Sequence, residues 1–258
     1  MTARVLITRA AGPWPALDER FAPKQIVLQW DPTTAQVPPL DPRPGEEALA
    51  RLDRYDWLLA ASVRGVEALT RLLAAQGATL PPRLQIAAVG PATAQALQSA
   101  GLDVALVSAD ASSRGLEAAL RPHVAAGARL LVVGPEGGPS ELANRLRASS
   151  AYVDEAPLYR TVASERAAAL AADAIAGRFA AVVFTAPSAL SLWLDAAGER
   201  RDALAAALGQ LRRVAIGPTT EARLAALQLP AAAVAQAPTA EAVGDAIERA
   251  LASGDLLT

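Results

Sequence analysis

Aliphatic residues come in short dense runs along this chain. Between the runs lie longer segments whose apolar positions recur every three or four residues. The runs VLITR, QIVLQW, WLLAAS, IAAVG and VALVS in the first half, and LLVVG, AYVDEAPLY, AVVFTA, VAIG and AAVAQ in the second, predict β-strands. Most are apolar throughout, the pattern of strands buried on both faces. The periodic segments predict helices around 15–22, 46–54, 64–76, 92–100 and 113–125 in the first half. In ASSRGLEAAL (111–120) and APTAEAVGDAI (237–247), Ser or Thr stands ahead of an amphipathic stretch, as an N-cap does. Strands that alternate with helices call for parallel sheets flanked by helices on both faces, here two sheets of five strands.

The pattern is also written twice. AVGPATAQAL (88–97) returns as AIGPTTEARL (215–224), with Gly90/Gly217, Pro91/Pro218 and Thr93/Thr220 in register. RVLITR (4–9) is answered by RLLVVG (129–134), Leu17 by Leu142, and DWLLAASVRGVEAL (56–69) by FAAVVFTAPSALSLW (179–193). Echoes in one order imply a duplicated unit of about 125 residues, the size of a whole domain rather than a solenoid repeat. The segment DPTTAQVPPLDPRPG (31–45) is too rich in proline to pair as a central strand and favours a stiff connection. Its counterpart is EAPLYRTVA (155–163). If the chain crosses between domains at linkers near 31–45 and 156–163, one domain is 1–33 plus 161–258 and the other 34–160. Periodicity equally allows 1–127 followed by 128–258.

Composition removes several function classes. The 258 residues are 52% hydrophobic and 19% charged. Mean hydropathy is +0.24, but the apolar content is largely Ala, and no uninterrupted apolar run of about 18 residues marks a membrane span. MTARVLITRA reads as a first strand rather than a signal peptide. Cys is absent, which excludes disulfides, thiolate nucleophiles and Cys-ligated metal, and fits the cytoplasm. The formal charge of −2 comes with no basic block, which argues against nucleic acid as a partner.

The candidate chemistry lies at the corners where strands turn into helices. Pro91 and Pro218 suit the first helical position, and Thr93 and Thr220 fall in the first turn beside free N–H groups. Such a corner can accept carboxylate or phosphate without a cation; equally, Gly-Pro followed by Thr is good helix-start chemistry. Polar corner residues recur as Thr8 and Arg9, Ser62 and Arg64, Thr93, Thr185 and Ser188, and Thr219 and Thr220. The one histidine, His123, reads as a solvated helix-end residue. VVGPEGGPS (132–140) matches neither common glycine-rich nucleotide fingerprint. Asp154 and Glu155, adjacent on a strand, point opposite ways. Trp14, Trp30, Trp57 and Trp193 read as packing groups. Tyr159, in PLYRT at the expected crossing, is either a hinge-packing residue or a phenol donor to an oxygen or a leaving hydroxyl.

Taken in order, VLITR, DWLLAAS, AVGPATAQALQSAG, the LYRT tyrosine, VVFTAPSAL and AIGPTTEARLAALQL resemble the uroporphyrinogen-III synthase family over nearly the whole chain. The resemblance implies two flavodoxin-like α/β domains, each a parallel five-stranded sheet, joined by a two-stranded linker. It implies a cytoplasmic, monomeric enzyme without cofactor or metal. The substrate would be hydroxymethylbilane, a linear tetrapyrrole polycarboxylate handed over by the preceding enzyme. The reaction would expel water, close the macrocycle and invert the terminal ring through a spirocyclic pyrrolenine. By the same resemblance Tyr159 is catalytic, hydrogen-bonding the departing hydroxyl. Arg9, Ser62, Thr93, Thr185, Ser188, Thr219 and Thr220 match family positions and would contact the substrate; Gly217 and Arg64, at the same corners, are further candidate contacts read from the residues themselves.

The chain departs from the family pattern at Ala61, where threonine is common, at Arg64, where a small polar residue is frequent, and at Ala186, where serine is common. Val133-Gly134 stands for Arg-Gly, and Pro139 for a second basic residue. The missing arginine at Val133 favours a second reading, a non-catalytic bilobal relative that binds tetrapyrroles or small anions, whereas Tyr159 and Thr220 favour the enzyme. A two-lobed solute-binding protein is a third reading, weakened by the missing export signal.

Overall fold

Strand and helix alternate through the structure, a computed structural model that describes residues 2–9, 14–110, 112–137, 140–148 and 151–252. The elements are β1 (Ala3–Ile7), α1 (Pro15–Phe21), β2 (Ile26–Trp30), β3 (Thr34–Val37), α2 (Arg43–Leu49), β4 (Trp57–Ala60), α3 (Val63–Gln76), β5 (Gln85–Ala88), α4 (Pro91–Ser99), β6 (Leu106–Val107) and α5 (Ser113–Leu120). There follow β7 (Arg129–Pro135), α6 (Glu141–Arg147), β8 (Tyr152–Ala163), α7 (Ala167–Ile175), β9 (Ala181–Phe184), α8 (Ser188–Ala196), α9 (Arg201–Gln210), β10 (Arg212–Ala215), α10 (Pro218–Ala226), β11 (Ala233–Val234) and α11 (Ala240–Ala252). Ser62, Ser112 and Ser140 cap α3, α5 and α6, their hydroxyls accepting from the N–H of Gly65, Gly115 and Ala143 at 3.0–3.1 Å.

The strands form two sheets, one of order β11-β10-β9-β1-β2 and one of order β3-β8-β7-β4-β5-β6. The pairs from β2 to β11 in the first, and from β8 to β6 in the second, are parallel. Contacts divide the chain into two compact units, Met1–Ala35 with Thr161–Thr258, and Gln36–Arg160. Strands of the two sequence halves are therefore interleaved. The first half contributes β1 and β2 to a sheet completed by β9, β10 and β11 of the second. The second half contributes β7 and β8 to a sheet completed by β3, β4, β5 and β6 of the first.

Alternation along each strand feeds two cores per unit. In the five-stranded sheet, Leu6, Val182 and Phe184 join Leu170, Trp193 and Leu208 on one face, while Val5, Ile7 and Val183 meet Phe21, Val243 and Ile247 on the other. In the six-stranded sheet, Leu58, Ala60 and Val133 pack with Val66, Leu69 and Leu97, and Leu59, Leu130 and Val132 with Leu116, Leu120 and Leu142. No helix among the described residues is long and apolar enough to cross a membrane.

Three details differ from the sequence pattern. The second sheet has six strands rather than five, because Thr34–Val37 is free of proline between Pro32 and Pro38 and pairs at the edge beside β8, where proline neighbours are tolerated. The helix expected around 46–54 runs from Arg43 to Leu49, with Pro44 in its first turn, where no amide hydrogen is needed. The last strand of each sheet is only two residues long.

Candidate functional site

In each unit the strand order reverses at one place. In the five-stranded sheet this is the β1–β9 boundary. The helix after β1 packs Leu17 and Phe21 on one face, and the helix after β9 packs Leu190 and Trp193 on the other. In the six-stranded sheet it is the β7–β4 boundary, with Leu142 of α6 and Val66 of α3 on opposite faces. Crevices at the carboxyl ends of strands beside such reversals are the usual ligand sites of open α/β sheets. Arg9 follows β1, Thr185 and Ser188 follow β9, Gly217, Thr219 and Thr220 follow β10, Ser62 and Arg64 follow β4, and Thr93 follows β5. All thus lie at strand ends, and within each unit the structure brings them to one end of its sheet.

The corner of the first unit is locked by two threonines. The Thr8 hydroxyl donates to Val183 O at 3.0 Å and accepts from Thr185 N–H at 3.2 Å, while the Thr185 hydroxyl donates to Thr8 O at 3.2 Å. Beside them the Arg9 guanidinium lies 4.8 Å above the Trp14 ring, a cation–π contact that holds a positive charge at the end of β1. Trp14 in turn packs against Trp30, whose indole N–H donates to Asp18. Ser188 and Thr185 are half-buried and Thr219 is exposed. Thr220 and Thr93, by contrast, are only 3% and 4% exposed. They occupy matching positions in the first turns of α10 and α4, turned toward the cores. Gly217 is extended, and a Cβ there would meet nothing within 4 Å, so backbone close to this corner is open to a ligand.

The second unit is built differently at the equivalent point. Ile7 pairs with Val183 and Val132 with Leu59, so Val133 and Ala61 stand where Thr8 and Thr185 stand in the first. The hydroxyl lock is replaced by an apolar pair, and Val133 is fully buried under α3. Polarity returns one residue later. Ser62 caps α3, and its Oγ lies 3.3 Å from the hydroxyl of Tyr159.

Tyr159 reaches that position through a register slip. Val133 pairs with Ala156 and Gly134 with Pro157, but Pro135 pairs with Tyr159, which leaves Leu158 as an extra residue in β8. Strict alternation would turn Tyr159 to the face opposite Leu158. The bulge re-aims it, and both side chains enter the core beneath α3. Tyr159 is 6% exposed. Helix α2 presses on the same bulge: a Cβ on Gly45 would lie 2.7 Å from Pro157 O and 3.0 Å from Leu158 Cδ2. The sequence contains no local signal of this bulge beyond Pro157, since register is decided by the pairing strand.

A hollow of about 400 Å³ opens in the same unit, its wall including Val132, Gly134, Glu136, Ser140 and Glu155. Its carboxylates are occupied. Glu155 accepts from Ser140 N–H at 2.9 Å and pairs with Arg147 at 3.0 Å, and Glu136 accepts from Leu40 N–H at 3.0 Å. Asp154 accepts from the Tyr55 hydroxyl at 2.9 Å. Burial of the phenol, then that carboxylate, pushes Tyr55 up to about 12. Pro139 falls outside the described residues. Among the described residues no three His, Asp or Glu side chains converge to hold a metal ion.

The family model described as uroporphyrinogen-III synthase HemD matches residues 29–244. The uroporphyrinogen-III synthase of Synechococcus elongatus is 32% identical over 159 residues, 61% of this chain and 60% of that protein. The match thus spans about three fifths of that relative's length. A putative uroporphyrinogen-III synthase of Methanothermobacter thermautotrophicus is 29% identical over 181 residues, 69% of this chain and 72% of the other. Among solved structures, a mutant uroporphyrinogen III synthase of Thermus thermophilus superposes with a TM-score of 0.67 at 23% identity, over 98% of this chain and all of that one. The uroporphyrinogen-III synthetase of Helicobacter pylori gives 0.59 at 16% identity over 98% and 100%. Both share the fold. With a family model that runs from β2 into α11, the chain belongs to the uroporphyrinogen-III synthase family.

Proposed function

We propose that this chain converts hydroxymethylbilane into uroporphyrinogen III. Water is lost, the macrocycle closes and the terminal pyrrole ring is inverted. The observation that carries this reading is the family match over residues 29–244, which includes the strand that bears Tyr159. The two compact units act as two flavodoxin-like domains, with β3 and β8 as the two-stranded linker that carries the chain from one to the other. The protein works as a cytoplasmic monomer and takes its substrate from the enzyme that makes it.

The substrate is a flexible polyanion, and the chain is mildly acidic, so recognition has to be local. Arg9 and Arg64 supply charge at the strand-end corners. Thr185, Ser188, Thr219 and the backbone at Gly217 supply neutral donors beside helix starts. Thr93 and Thr220, beneath their corners, hold the first turns of α4 and α10 in place, and Ser62 stands next to Tyr159. Tyr159 gives a proton to the departing hydroxyl as the C–O bond breaks. The cation that remains is attacked by a carbon of the terminal ring, which yields the spirocyclic pyrrolenine. Rearrangement and loss of a ring proton restore the balance, so hydroxymethylbilane becomes uroporphyrinogen III plus water. Holding the two chain ends together is the larger part of the task, because it turns an encounter between distant rings into a positioned one.

The test is to add purified protein to hydroxymethylbilane, oxidise the product and separate the uroporphyrin isomers. The type III isomer is expected. Type I alone, which forms spontaneously, would overturn the assignment.

A further inference from the structure

We infer that Ser62 is a positioning residue that acts through Tyr159 and not a contact to the substrate. The inference deepens the role proposed above for Tyr159 and rests on it. The Ser62 oxygen is committed twice. It accepts the Gly65 N–H at 3.0 Å as the cap of α3, and it lies 3.3 Å from the Tyr159 hydroxyl. A hydroxyl has one proton to give. With one lone pair already taken by an N–H at the positive end of a 14-residue helix, Ser62 Oγ–H is polarised toward donation. Donated to Tyr159, it fixes the phenol oxygen as an acceptor and leaves the phenol proton free to point to the leaving hydroxyl. As that proton moves away, the same hydrogen bond meets the negative charge that develops on the tyrosine oxygen and becomes charge-assisted.

Two packing features hold this arrangement. The bulge at Leu158 brings Tyr159 to the α3 face. On α3 itself, a Cβ on Gly65 would lie 3.3 Å from Ser62 Oγ and 3.4 Å from Val133 O, so the first turn sits directly on β7 and the serine has little room to move. The first unit has no such pair, since Ala186 occupies the place equivalent to Ser62. The polar relay is confined to one of the two duplicated corners.

The experiment is a double-mutant cycle on the full chain with Ser62→Ala and Tyr159→Phe, read as kcat and KM for type III formation and as Tm. Ser62→Ala is expected to lower kcat about tenfold with little change in KM, a part of the roughly 100- to 10,000-fold that a general acid contributes, because the phenol itself remains. In the Tyr159→Phe background it should lower kcat no further, while its loss of Tm from the missing cap is the same in both backgrounds. Ser62→Thr keeps cap and hydroxyl and should restore kcat. Ser62→Gly, which caps nearly as well as serine but carries no hydroxyl, should lose kcat with little change in Tm, which covers the case of an unstable alanine variant. Equal losses of kcat in both backgrounds, or a rise in KM alone, would overturn the inference while leaving the tyrosine's role intact. Full turnover in Tyr159→Phe alone would remove both.

Discussion

On α10 two neighbouring threonines meet different surroundings. Thr219 is exposed and Thr220 is buried, as successive helical positions about 100° apart dictate once one side of the helix lies on the sheet. Their substitutions should therefore separate. Thr219→Ala is expected to raise KM for hydroxymethylbilane several-fold and change stability by less than about 0.5 kcal/mol. Thr220→Ala should cost about 1–2 kcal/mol of stability, read by urea unfolding, before it affects KM. The opposite pattern would place the anion contact on Thr220. Sequence alone shows the corner, because proline in the first turn and glycine before it are helix-start chemistry. It does not separate the two threonines, whose difference arises only from packing. Titration is argued at this scale too. Glu248 accepts from Arg20 at 2.8–3.0 Å and pairs with Lys24, and those cations pull its carboxyl down to about 2. A depressed carboxylate stabilises the fold above its unfolded value near 4.5, and that contribution is lost as pH falls through about 2. Glu248→Gln should lower Tm by a few degrees at neutral pH, modestly because the pair is partly exposed to solvent, and the gap from wild type should close as the pH approaches 2. A gap that persists there would show that the carboxylate's charge is not what matters.

The bulge in β8 is an element-scale feature that decides where the Tyr159 hydroxyl lies. The residues of PLYRT carry the tyrosine, but alternation predicts the wrong face for it, and only the slip against Pro135 turns it to α3. Gly45 in α2 keeps that slip in place by letting the helix meet the Pro157 carbonyl. Elsewhere in a helix, alanine is better than glycine by about 0.5–1 kcal/mol. Here the close approach reverses the sign. Gly45→Ala should destabilise by about 1–3 kcal/mol and lower kcat with it, since the strand that must yield is the one that bears Tyr159. Thermal unfolding alongside turnover checks this, and a variant as stable and active as wild type would mean that α2 can ride over the bulge without moving it. The helices and strands flanking the site were legible because caps, prolines and apolar runs are local. The sixth strand and the bulge were not, because a four-residue edge and a one-residue slip are decided by partner strands far away in sequence.

At the scale of the whole molecule, duplication explains both the likeness of the corners and their differences. Equivalent strand ends carry Thr8 and Thr185 in one unit but Val133 and Ala61 in the other, and the tyrosine serves only the second. One corner is thus held by hydrogen bonds while its counterpart packs apolar side chains. The interleaving of the halves also has a consequence for how the chain is made. Every strand of the six-stranded sheet lies between Thr34 and Ala163, so that nested unit is complete while the ribosome still has much of the protein to build. β1 and β2 precede that unit in the chain, yet β9, the neighbour that covers the inner edge of β1, begins only at Ala181. β1 therefore leaves the ribosome with β2 on one side and an open, apolar edge on the other, and that edge is covered only after all the strands of the nested sheet have been made.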